Sequence, residues 1–249
     1  MLIGILTLIF SFYTHTGGYT SLMAGVLGLL LLLTWFIRSF ALYSGRRVSR
    51  YSEVIQRISI KDRFFAYFIL PSLFYISLLF FLFYNSSAII EYVMIAIVMV
   101  QIAILFLNVR SSFSKIYSLQ SHTKAIFDFI CISIFFLVES VLVRMGFDFY
   151  LFTLSSFILT FILLLFDLKL HNKGGLSGIL MGLLSSLFVM VFISSFWTTN
   201  IFVIPSVGTL AYYLVISLWN VRFSGKVKFT DYIAPFIYSV LALILILNL

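Results

Sequence analysis

Nine apolar stretches run through this chain with only short polar gaps between them: residues 2–13, 21–42, 64–84, 88–107, 125–143, 149–166, 176–196, 201–221 and 232–249. A helix needs roughly 20 apolar residues to cross a hydrocarbon core about 30 Å thick. Every stretch but the first meets that length or comes near it. Lipid offers no partner to a free N–H or C=O, so spans of this length satisfy their backbones internally, as helices. The ten-residue alternation of a membrane β-barrel is missing. The pattern predicts an all-α, polytopic transmembrane helix bundle with eight clear spans, preceded by a short N-terminal one. Composition leaves no room for a separate soluble domain: 63% of residues are hydrophobic and only 10% charged, against roughly a quarter charged in soluble proteins. Residues 1–249 therefore read as one integral membrane domain.

The basic residues give this pattern a direction. Seven Lys and Arg fall at 38–63, three at 110–124, two at 169–173 and three at 222–228; only Arg144 lies in an intervening gap. Loops rich in Lys and Arg stay on the cytoplasmic side. The expected location is the cell membrane, as a multi-pass protein with a cytoplasmic N-terminus, if the first stretch spans, and a non-cytoplasmic C-terminus. The run from Met1 to Tyr13 is short, since thirteen helical residues reach about 20 Å. It is counted because the loop charges then stay in phase. It does not resemble a secretory leader, having no basic beginning and no small-residue cleavage site. The net charge of +8 is spread over membrane-adjacent loops. It points to orientation and to anionic headgroups at the cytoplasmic face rather than to nucleic acid.

The longest gap, 44–63, carries its own helical pattern. Val48, Tyr51, Ile55 and Ile58 recur at helical spacing, and Glu53 can pair with Arg57 one turn on. A basic amphipathic helix lying among the headgroups is expected, with Arg46, Arg47, Arg50, Arg57, Lys61 and Arg63 as headgroup contacts.

Gly174, Gly178, Gly182 and Ser186 form a ladder of small residues at i, i+4 spacing. Such a ladder lets another backbone approach closely. The first expectation is packing within the bundle; a homo-oligomer or a membrane partner on the same face is the alternative. Ala24 and Gly28 make a weaker version. Pro71 and Pro205 sit in nearly repeated text, 68–73 against 202–207, too short to establish an internal repeat. Each is expected near a helix start.

Ionisable residues inside a membrane are costly and are candidates for function. Glu91 falls in the first turn of its helix, where the macrodipole favours a carboxylate. Asp148 and Asp231 precede helices as possible caps. Glu53, Asp62 and Asp167 lie in or beside basic loops. Asp128 and Glu139 remain. Eleven residues apart, they share one face of a helix about 16 Å from each other along its axis. With Gln101 as a possible hydrogen-bond partner and Arg144 five residues past Glu139, they form a candidate polar stripe for a proton or a cation.

Missing motifs narrow the field further. The chain carries no phosphate-binding glycine loop, no His-Glu-x-x-His and no Gly-x-Ser-x-Gly elbow. His15, His122 and His171 lie in separate loops, so neither a metal site nor a cofactor is expected. Cys131 is the single cysteine and excludes an intrachain disulfide. The expectation is a non-enzymatic membrane protein, a small transporter-like bundle or a scaffold subunit. The alternative is a lipid-handling enzyme at the cytoplasmic headgroup face, which lacks an acid–base cluster beside its arginines.

Overall fold

A computed structural model describes residues 2–14, 19–43, 68–113, 121–170, 175–197, 200–223 and 228–248. These residues are all-helical and form nine helices: α1 (Leu2–Thr14), α2 (Tyr19–Tyr43), α3 (Leu70–Tyr84), α4 (Ala88–Phe113), α5 (Ser121–Arg144), α6 (Phe149–Leu170), α7 (Leu176–Ser195), α8 (Val203–Phe223) and α9 (Thr230–Leu247). Seven of them are long and apolar enough to cross a membrane. The two shorter ones are α1, with 13 residues, and α3, with 15. The difference from eight clear spans arises at α3, because the apolar stretch 64–84 is described as α-helix only from Leu70. The basic segment 44–63, with Arg46, Arg47, Arg50, Arg57, Lys61 and Arg63, lies outside the described residues, as does Gly174.

Local chemistry explains several helix ends. Pro71 and Pro205 occupy the first turns of α3 and α8, where a missing N–H costs no helical bond. Gly146 closes α5 with φ +71°, and its N–H bonds the Val143 carbonyl. A residue with a Cβ is strained in that conformation. Asp231, in the first turn of α9, accepts the Lys228 backbone N–H at 2.9 Å. The carboxylate thus reaches back over the helix start, as an acid in a first turn can.

Helix contacts group the chain into two compact units, Met1–Ile130 and Cys131–Leu249, the division falling inside α5. In the first unit α1 and α2 form the most extensive pair, and α1 also packs on α3 and α4. The short helix buries Ile3, Thr7, Phe10 and Ser11 along one face. Glycines let its neighbours come close. A Cβ built on Gly25 would stand 3.1 Å from both Phe10 and Leu79, and one on Gly28 would stand 2.0 Å from the Tyr75 hydroxyl oxygen. In lipid such close packing supplies the attraction that burial from water supplies in a soluble protein.

In the second unit the leading pair is α6 with α7. Gly178, Gly182 and Ser186 are buried on α7, and Gly182 faces Phe161 and Leu165 of α6. Its notional Cβ would sit 3.4 Å from Leu165 and 3.5 Å from Phe161, which is ordinary contact distance. Alanine therefore fits there and also gains about 1 kcal/mol of helix propensity. Isoleucine overfills the gap and is expected to cost about 1–3 kcal/mol. Thermal unfolding of the two variants in detergent checks the opposite signs.

The second half of α5 meets α8 through stacked rings of Phe135 and Tyr212, 4.8 Å between centroids. Gly208 leaves room for Phe135 and Ile193 at that crossing. On α9, which packs on α8, Ser239 is the buried residue. Its Phe236, Tyr238, Leu241 and Leu245 are exposed, a surface suited to hydrocarbon.

Candidate functional site

Of the apolar helices long enough to span, α5 carries the largest buried share, so a carboxylate on it is held away from both water and lipid. Glu139 has no exposed surface at all. Its Oε2 accepts the Ser156 hydroxyl of α6 at 3.0 Å, and its Oε1 has no hydrogen-bond partner among the described residues. Buried charge is tolerated only when paired or bonded. One hydroxyl satisfies half of this carboxylate.

The partner helix is built for the task. Thr153, Ser156, Thr160 and Asp167 are all buried on α6, at the i, i+3, i+7 and i+14 positions of one face. Thr153 and Thr160 donate their hydroxyl protons to the carbonyls of Phe149 and Ser156, both at 2.6 Å. Their own oxygens keep lone pairs that can accept. Ser140, the residue after Glu139 on α5, is buried as well. The site is one buried acid bonded by one hydroxyl, Ser156, of a polar face on α6. The spacing of those hydroxyls is readable in the chain, but without knowing that α6 faces Glu139 it resembles the scattered Ser and Thr of any span.

The other expected members of the stripe are distributed differently. Asp128 is buried on α5 and Gln101 on α4, both in the first unit, and neither lacks a partner. Arg144 bonds the Ser140 carbonyl at 3.3 Å and lies over the Phe202 ring at 5.7 Å. Its guanidinium thus caps carbonyls and an aromatic face at the end of α5, while Glu139 is bonded from α6. Asp167, expected in or beside a basic loop, is buried near the end of α6 and also has a partner.

A second acid, Glu91, is buried in the first unit. Glu91 does occupy the first turn of α4, yet its side chain is buried rather than turned outward. It accepts a short hydrogen bond from the Ser11 hydroxyl of α1 and a long one, 3.5 Å, from the Asn85 amide. Asn85 also donates to the Ser87 carbonyl at 2.8 Å. Its amide is thereby engaged in the fold. One turn back on α1, Thr7 donates to the Ile3 carbonyl at 2.8 Å and lies 3.1 Å from the Tyr75 hydroxyl. With Thr7's proton committed, Tyr75 is the donor in that pair. The signal that could have found this cluster is the Thr7–Ser11 spacing on an otherwise apolar helix. Ser11→Ala removes the shortest bond of the buried Glu91 and is expected to cost about 1–3 kcal/mol, read as a lower unfolding midpoint that Ser11→Thr restores.

Towards the ends of the bundle, Trp197 stands edge-on to Phe149 and tilted to Phe152, each at 5.2 Å. Trp219 donates its indole N–H to the Ser185 hydroxyl at 2.9 Å. No group of three His, Cys, Asp or Glu able to hold a metal occurs among the described residues.

No protein-family model, curated protein or solved structure matches this chain.

Proposed function

We propose that this polytopic helical bundle is a small transporter in which Glu139 carries an exchangeable monovalent cation, a proton or an alkali ion. The observation that supports it is the half-satisfied carboxylate of Glu139, fully buried and facing the hydroxyl stripe of α6. A lone acid in an apolar interior has two ways to shed its cost: it takes a proton, or it holds a cation whose remaining ligands are neutral oxygens. Ser156, Thr153, Thr160 and Ser140 are neutral oxygens of that kind. A divalent ion calls for more charged ligands. Glu139 is closed off in this conformation, so exchange requires a second state that opens the α5–α6 seam.

The location that goes with this reading is the cell membrane, with the basic loops cytoplasmic, as the Lys and Arg distribution supports. The test is flux through the purified protein in sealed vesicles. An internal pH dye reports protons and radioactive sodium reports the alkali ion, each driven by a potassium diffusion potential. Flux in either arm that Glu139→Gln removes sustains the reading; flux unchanged by that substitution ends it.

A scaffold subunit is the second reading, favoured by the complete burial of Glu139. It supports no flux in either arm and instead retains a partner on purification.

A further inference from the structure

Between α7, α8 and α9 in the second unit lies an open crevice of about 420 Å³, lined by Leu184, Ser185, Phe188, Val215, Leu218, Trp219, Arg222 and Tyr232. That volume is within the range of small-molecule sites. Its chemistry is divided. On the wall, Trp219 donates its indole N–H to the Ser185 hydroxyl oxygen at 2.9 Å, so the indole's one donor is already used. Leu184, Phe188, Val215 and Leu218 make most of the remaining wall apolar, so a sugar finds few bonds there, whereas a hydrocarbon chain meets a matching surface. At the rim are Arg222, exposed in the last turn of α8, and Tyr232, in the first turn of α9. Lys228, also exposed, follows in the connecting stretch. No ion pair of Arg222 occurs among the described residues. An exposed guanidinium is a forked donor matched to phosphate, and Trp and Tyr at a helix end mark the headgroup level.

We infer that the α7–α8–α9 crevice is a binding site for an anionic phospholipid, with one acyl chain against Leu184, Phe188, Val215 and Leu218 and the headgroup phosphate on Arg222. This mixture of surfaces decides the class. A zwitterionic headgroup brings its own cation up against Arg222 and Lys228, both exposed, whereas an anionic headgroup does not, and a free phosphate leaves the apolar wall without a ligand. The basic residues at 222–228 add attraction for a negatively charged surface. The site is independent of Glu139 and of the transport reading.

Native mass spectrometry of the full chain, with thermal unfolding in a neutral detergent, tests it. The probes are phosphatidylglycerol, phosphatidylcholine with the same chains, and glycerol phosphate. Phosphatidylglycerol is expected to remain bound and to raise the unfolding midpoint by several degrees, phosphatidylcholine to do so much less, and glycerol phosphate not at all. Arg222→Gln should bring the two lipids level while the protein stays folded, and Arg222→Lys should recover part of the difference. Leu184→Trp, which fills the crevice from an exposed position, should lower retention of both lipids. Arg38→Gln, exposed on α2, should leave the preference as it is. Equal binding of the two lipids by the unaltered protein overturns the inference. So does a preference that survives Arg222→Gln, or equal protection by glycerol phosphate.

Discussion

In sealed vesicles, the Glu139→Gln protein is expected to carry its cation at least about tenfold more slowly than the unaltered chain while keeping its unfolding midpoint. The size follows from what is removed. A hydrogen bond or ion contact to a charged group contributes about 1.5–3 kcal/mol, and 1.4 kcal/mol is a factor of ten. Glutamine keeps the volume of the side chain and can still accept the Ser156 hydroxyl through its amide oxygen. The 3.0 Å bond between α5 and α6 therefore has a substitute, and only the charge is lost. Ser156→Ala removes the bond and keeps the acid. It should destabilise the protein by about 1–3 kcal/mol and slow flux by less than the glutamine change does. The two substitutions separate transport from structure. A protein that carries cations normally with glutamine at 139 has its function elsewhere. One that loses folding with either change was using Glu139 as a strut.

Gly28→Val should be the most damaging single change in the first unit. A Cβ at Gly28 would lie 2.0 Å from the Tyr75 hydroxyl oxygen and 2.9 Å from the ring carbon that bears it. Tyr75 has no exposed surface into which it could swing, and its hydroxyl is tied to Thr7 of α1. The added methyls must push α2 away from α3 or drive the ring out of its rotamer. Overpacking of that kind costs about 1–3 kcal/mol, sometimes more, and valine's branched side chain stands at the upper end. The bond between Thr7 and Tyr75 breaks in either case, which loosens α1. A double variant isolates the cause. Tyr75→Phe alone costs about 1 kcal/mol, the worth of one hydrogen bond. Combined with Gly28→Ala, it should recover part of the alanine loss, because the oxygen in the way is gone. A double variant as unstable as the sum of the two singles would show that the clash is not what Gly28 avoids. Unfolding midpoints in detergent give all four corners of the cycle.

These sites were legible in the sequence to different degrees. Glu139 stands out in the chain alone because an acid inside an apolar stretch has few reasons to be there. Its partner does not, because Ser156 is one of many hydroxyls in a chain rich in serine. Only the pairing of α5 with α6 tells Ser156 from Ser155 or Ser194. Glu91 shows the reverse problem. Its first-turn position offered a sufficient local explanation, and the burial against Ser11 needed a contact eighty residues away. Asp167 followed the same pattern, since proximity to a basic loop in the chain did not mean exposure in the bundle. The glycine ladder advertised a close approach without saying by what; at Gly182 the neighbours are Phe161 and Leu165 of the preceding helix.

What the chain determined by itself is the solvent it is built for and the form of its elements. Long apolar runs permit no other backbone arrangement in lipid than helices, and the positions of Lys and Arg set the expected sidedness. Hydropathy is a sum along the chain, so it can be read from the chain. Which face of each helix is turned inward was decided by tertiary structure. Nearly every side chain on these helices is apolar, so no amphipathic stripe marks the buried side. The choice rests on the fit of particular surfaces instead, such as Gly28 against Tyr75 and Glu139 against Ser156, and that fit exists only once two helices meet.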